Sequence, residues 1–180
     1  MIIAQQKKNE NIAEYILYMW QIEDLIRAYK LDISEIEKNI VQRFEQPDSV
    51  KKEITNWYSG LIDLMKEEQK TESGHLQFIH NSINDLYDIH LFLIKSPDHL
   101  DYIEIYNKAK VGITELMNKS KGTVENEIEA CFNGLYGLLM LRLQQKTISP
   151  DTIEALSAVS QLIALLSRKQ KMIEEGKIEL

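Results

Sequence analysis

The stretch Ile12-Ala13-Glu14-Tyr15-Ile16-Leu17-Tyr18-Met19-Trp20-Gln21-Ile22-Glu23-Asp24-Leu25-Ile26-Arg27 decides the fold. On a wheel of about 100° per residue, Ile12, Ile16, Met19 and Trp20 fall on one arc, the signature of an amphipathic α-helix rather than of an alternating strand. Glu14 and Gln21 fall on the opposite, solvent side, with Asp24 between. Tyr15, Tyr18, Ile22, Leu25 and Tyr29 make a second apolar stripe, so this helix is expected to be covered on more than one side. A central position in the core and a contact with a partner both meet that need.

The same period runs outward from this segment and predicts helices over 8–30, 33–46, 49–70, 74–95, 97–119, 123–146 and 150–175. Strand patterns bounded by turn residues are absent. The chain has 3 Pro, each at an expected helix boundary. Ser96-Pro97-Asp98 and Ser149-Pro150-Asp151 read as N-cap, N1 and N2, while Pro47 closes one helix before Asp48-Ser49 caps the next. Ser34-x-x-Glu37 reads as a capping box, and Gly122-Thr123 as a C′ glycine followed directly by the next N-cap. Short connections turn each helix back on the one before it. The expectation is therefore an all-α, compact antiparallel helical bundle of about seven helices. Helix lengths differ too much for a repeat array. With 180 residues, 44% of them hydrophobic, one core suffices, and residues 1–180 are read as a single all-helical domain.

Charge narrows the partners. Lys and Arg number 21 against 28 Asp and Glu, a net charge of −7 spread along the chain, so no basic patch is expected to hold nucleic acid. Met1-Ile2-Ile3-Ala4 is too short for a secretory core and is followed by polar Gln5-Gln6-Lys7-Lys8. The richest apolar run, Leu135 to Leu143, is broken by Gly137 and Arg142 and is too short to span a bilayer. No membrane association is expected, and the reading is cytoplasmic. Lys177-Ile178-Glu179-Leu180 faintly resembles a retention tail, but with no signal peptide expected that reading has no route to apply. The single cysteine, Cys131, lies on an apolar stripe and reads as a core thiol with no disulfide or metal partner.

Chemistry is sought among polar residues on faces that should be buried. Glu23 and Arg27 continue the Ile12–Trp20 arc and, at i and i+4, are spaced for a dehydrated ion pair. Removing Arg27 would then strand Glu23. His90 falls among Leu76, Ile79, Ile83, Leu86, Leu93 and Ile94, with His75 at the edge of that face. Arg142 extends the stripe of Val124, Ile128, Cys131, Leu135 and Leu138. Tyr102 and Tyr106 carry hydroxyls that need partners if buried.

Familiar catalytic patterns are missing. Glu72-x-x-His75 is a single copy at a helix start and cannot build a two-metal bundle site. His75 and His80, five apart, diverge around a helix rather than clamping zinc. Glu125, Glu127 and Glu129 point to different sides and read as a solvated first turn favoured by the helix dipole. No P-loop, nucleophile elbow or dinucleotide fingerprint occurs, and no metal or cofactor is expected.

Residues Ile12 to Arg27 resemble the opening of an uncharacterised bacterial family of about this length, a domain of unknown function. Trp57-Tyr58 and Gly74-His75-Leu76 are similar to the middle of that family. The resemblance implies a bacterial cytoplasmic protein and carries no activity and no catalytic residue.

Two functional readings stay open. In one, Glu23, Arg27, His75, His90 and Arg142 cross-link a non-enzymatic scaffold or interaction protein, which forms a homodimer or meets a protein partner through its first helix. In the other, the same five residues line an interhelical pocket for a small anionic ligand, with Arg27 and Arg142 as clamps and His90 as acid or base.

Overall fold

The computed structural model describes residues 2–179; Met1 and Leu180, the outer ends of the opening apolar run and of the C-terminal tail, lie outside the described residues. Every regular element among the described residues is helical. The helices are α1 (Ile2–Glu10), α2 (Ile12–Ala28), α3 (Ile33–Asn39), α4 (Asp48–Glu67), α5 (Gln77–Lys95), α6 (Leu100–Ser120), α7 (Glu127–Leu143) and α8 (Pro150–Glu174), with 3₁₀ turns at Val41–Arg43 and Pro97–His99. The all-α expectation holds, and none of these helices is long and apolar enough to cross a membrane.

Capping chemistry explains where the boundaries fall and where they depart from expectation. Ser149 caps α8 by accepting from the Thr152 N–H, with Pro150 at its start, and Ser96 accepts from the Asp98 N–H before the 3₁₀ turn that leads into α6. The first expected helix is instead two. Asn11 takes an extended conformation (φ −158°, ψ 106°) and its side chain accepts from the N–H groups of Ala13 and Glu14, so the chain ends α1 and restarts as α2. Asp32, not Ser34, caps α3, accepting from the Ser34 and Glu35 N–H groups.

The start of α7 moves from the expected 123 to Glu127. Gly122 does adopt the left-handed backbone expected of a C′ glycine, at φ 82°. Thr123, however, donates its hydroxyl to the Ser120 carbonyl and closes the preceding helix. The N-cap of α7 is Asn126, whose Oδ1 accepts from the Glu129 N–H at 2.9 Å while its Nδ2 donates to Asn84 Oδ1 at 3.1 Å.

The described residues gather into two compact units divided within α5, between Asn81 and Ser82. In the first, α1 packs on α2 and α3 on α4. Ile16, Met19, Trp20, Ile26, Ile36, Val41, Tyr58, Met65, Leu76 and Ile79 form its core. Tyr15 and Ile22, from the second stripe of α2, are buried, whereas Tyr18, Leu25 and Tyr29 are half-buried. Lys7 and Lys8 of α1 stand over the rings of Tyr18 and Tyr15, at 5.9 and 5.7 Å from their centroids.

In the second unit α6, α7 and α8 pack on one another pairwise. Its core includes Leu86, Leu93, Tyr102, Ala109, Ile128, Cys131, Phe132, Val159, Leu162 and Leu166. Gly134 permits the close approach of α6 and α7, since a Cβ there would lie 2.8 Å from Leu116 Cδ2. Cys131 is fully buried, and burial pushes its thiol above the ordinary range, as expected of a core cysteine.

Candidate functional site

The structure builds a histidine–carboxylate cluster in each unit. In the first, α2 carries Trp20, Glu23, Asp24 and Arg27 beneath the chain that links α4 to α5. Glu23 is fully buried. Its Oε1 accepts from the Leu76 N–H at 2.8 Å, and its Oε2 lies 2.6 Å from Nδ1 of His75. An ionised carboxylate can only accept, so this geometry puts the His75 proton on Nδ1. The His75 ring stacks on Trp20, centroids 4.0 Å apart and planes 8° from parallel.

Arg27 grips the same linking chain. Its Nε and Nη2 donate to the Lys70 carbonyl at 3.2 and 3.1 Å, Nη2 also donates to the Gly74 carbonyl, and Nη1 pairs with Asp24 Oδ1 at 2.9 Å. The expected Glu23–Arg27 pair is thus corrected: Arg27 takes Asp24, and Glu23 turns to His75 and Leu76. The physical reason is the chain from Lys70 to Leu76, which crosses the shared face of α2. It offers carbonyls to the guanidinium and an N–H to the carboxylate, so each charge meets a partner outside its own helix. His75 precedes α5 rather than standing on the edge of that helix.

In the second cluster His90, on α5, is fully buried, and both ring nitrogens are engaged. Nδ1 lies 2.7 Å from the Tyr102 hydroxyl and Nε2 lies 2.9 Å from Glu127 Oε1. The Tyr106 hydroxyl donates to Glu127 Oε2 at 3.1 Å. A neutral imidazole satisfies all three contacts without leaving a buried donor over. His90 carries its proton on Nε2 and donates it to Glu127, while Tyr102 donates to Nδ1. Three tyrosine rings surround the imidazole: Tyr87 nearly parallel at 6.2 Å, and Tyr102 and Tyr106 edge-on at 5.7 and 5.0 Å.

This arrangement shifts the ionisation of Glu127 and of the two tyrosines. The His90 hydrogen bond holds the Glu127 carboxyl below its ordinary range, against the opposing effect of burial. Burial first, and the Glu127 charge second, push the Tyr106 hydroxyl up to about 12. Tyr102 is raised as well, chiefly by burial. Neither tyrosine is poised as a nucleophile near neutral pH.

Of the five expected site residues, Glu23, Arg27 and His75 come together. His90 gathers Tyr102, Tyr106 and Glu127 instead. Arg142 belongs to neither set of partners. It is exposed in the last turn of α7, where Leu143 is exposed too, so the buried stripe stops at Leu138 and the expectation for Arg142 is corrected. Glu127 is the residue that sequence reasoning missed. Starting α7 at residue 123 made it one of three solvated carboxylates, whereas it is half-buried. A signal was present in Asn126-x-x-Glu129, a capping-box spacing that places the start of α7 at Glu127. The Glu129 carboxylate does reach back, accepting from the Glu125 N–H at 2.6 Å. Among the described residues, no group of three or more His, Cys, Asp or Glu side chains is placed to hold a metal ion.

Residues 1–177 match a family described as a domain of unknown function, DUF4924. The chain belongs to the DUF4924 family. The resemblance carried by Ile12–Arg27 to an uncharacterised family is thereby borne out. No curated protein and no solved structure matches.

Proposed function

We propose that the chain is a helical scaffold or protein-interaction domain of the bacterial cytoplasm, acting by binding rather than by catalysis. One observation carries this reading: the buried polar side chains direct their hydrogen bonds into the fold. Arg27 holds the Lys70 and Gly74 carbonyls and Asp24, Glu23 holds His75 and the Leu76 N–H, and His90 uses both ring nitrogens on Tyr102 and Glu127. A pocket for a small anion would need the Arg27 guanidinium turned toward a ligand, and here it is turned onto backbone. Contacts of this kind hold helices in register and leave the surface to do the work.

The partner we favour is a second copy meeting α2, through the half-buried Tyr18, Leu25 and Tyr29. Light scattering of the 21.0 kDa chain should then give twice that mass, with Leu25→Glu returning it to the monomer. A monomer at every concentration removes the homodimer. Native mass spectrometry supplies the second arm. A small anion that co-purifies with the chain, and is lost in Arg27→Gln, would overturn the scaffold reading in favour of ligand binding.

A further inference from the structure

Glu127 has a second aspect, independent of the scaffold reading. In the proton arrangement that satisfies the His90 cluster, every group hydrogen-bonded to the Glu127 carboxylate is neutral: the imidazole N–H on one oxygen and the Tyr106 hydroxyl on the other. If His90 were an imidazolium, its Nδ1–H would donate to the Tyr102 oxygen. The fully buried Tyr102 hydroxyl would then have to place its proton elsewhere. The half-buried carboxylate is thus held below its ordinary range chiefly by hydrogen bonding, with the Lys110 charge attracting it from a distance and no lysine or arginine bonded to it among the described residues. Each of its oxygens keeps a further acceptor site.

That carboxylate opens onto a cleft of about 360 Å³ between α5, α6 and the start of α7. The rings of Tyr87 and Tyr106 form its aromatic side, and Ile113 and Met117 add apolar surface. Charged lining residues are Glu125 and Glu127 against Lys110. The balance of these formal charges is one negative charge. An anion would face two carboxylates here, and a neutral apolar ligand would bring nothing to the Glu127 carboxylate. A cation bearing an apolar group meets both requirements.

We infer that this cleft binds a small organic ammonium ion, its charge against Glu127 and its alkyl part against Tyr87 and Tyr106. The test titrates the ¹⁵N-labelled full chain with n-butylammonium chloride, followed by amide and histidine-ring shifts. Saturable shifts at Tyr106, Asn118 and Glu127 are expected, with Glu127→Gln weakening the affinity by about tenfold or more. Lys110 is exposed, so Lys110→Glu leaves the fold intact and should tighten binding several-fold. This variant decides the matter if Glu127→Gln does not fold.

Three results would overturn the inference: identical shifts with potassium chloride at matched ionic strength, an affinity indifferent to Lys110→Glu, or ring shifts showing His90 as an imidazolium in the free protein at neutral pH. A capped tripeptide with a central lysine separates the two sources of such an ion. Tighter binding of the peptide points to a lysine side chain of a partner, and tighter binding of butylammonium to a free amine.

Discussion

The two histidine–carboxylate pairs are inversions of each other. In the first unit the carboxylate is the sealed member: the Glu23 side chain is 0% exposed and His75 is 26% exposed. In the second the histidine is sealed, His90 at 0% against 20% for Glu127. The inversion decides what each pair can do. A buried carboxylate is costly unless several donors surround it, and Glu23 finds one in backbone, so its pair fastens a connecting segment to α2. A buried imidazole can satisfy both nitrogens without carrying charge. In the second pair the carboxylate, Glu127, is therefore the member at the edge, where other molecules can reach it.

The sharpest way to break this contrast is to truncate both carboxylates. Glu23→Ala leaves the buried Leu76 N–H without an acceptor and opens a void, for an expected loss of about 3–4 kcal/mol in urea unfolding. Glu127→Ala, with water at hand, should cost about half as much. Equal losses would end the argument from burial. His90→Phe keeps the ring but strands the Tyr102 hydroxyl and one oxygen of Glu127, so the expected loss is about 2–3 kcal/mol. Arg27→Ala should cost about 2 kcal/mol, the worth of a charge-assisted clamp on backbone. A value near 4–5 kcal/mol would indicate that Glu23 depends on Arg27 after all.

The smallest effects are in pH. Because the folded-state carboxyl of Glu127 lies below its ordinary 4.5, its contribution is present above about pH 4.5 and is lost as the pH falls through the folded value. Glu127→Gln should flatten that part of the stability profile. Tyr106 is shifted the other way, from 10.0 to about 12, so its contribution is full below pH 10.0 and is lost as the pH rises toward 12. Tyr106→Phe should reduce the alkaline loss, with Tyr102 and Tyr58, raised chiefly by burial, supplying the remainder.

How much of this was legible in the sequence follows from the range of the forces involved. Helices and caps at Ser96 and Ser149 are set by residues within a few positions, and they were readable. The break at Asn11 was not, because periodicity runs through it and only the side chain's bonds to Ala13 and Glu14 reveal the restart. The wheel placed Glu23 and His90 correctly on buried faces. It erred on the partners of Glu23 and Arg27, since these come from the Lys70–Leu76 segment, distant in sequence. Tyr102 and Tyr106 were known to need hydroxyl partners, and the acceptors, His90 and Glu127, lie on other helices. Arg142 misled because a stripe extended by period alone does not show where neighbouring helices stop covering it.

Cys131 gives the molecule a clock of its own. The chain's one cysteine is sealed in the core of the second unit with its thiol raised above the ordinary range, so a thiol-exchange reagent can react only during excursions that expose α7. The first unit has no cysteine to answer. The rate of colour release from an unmodified sample therefore counts openings of one unit while remaining blind to the other.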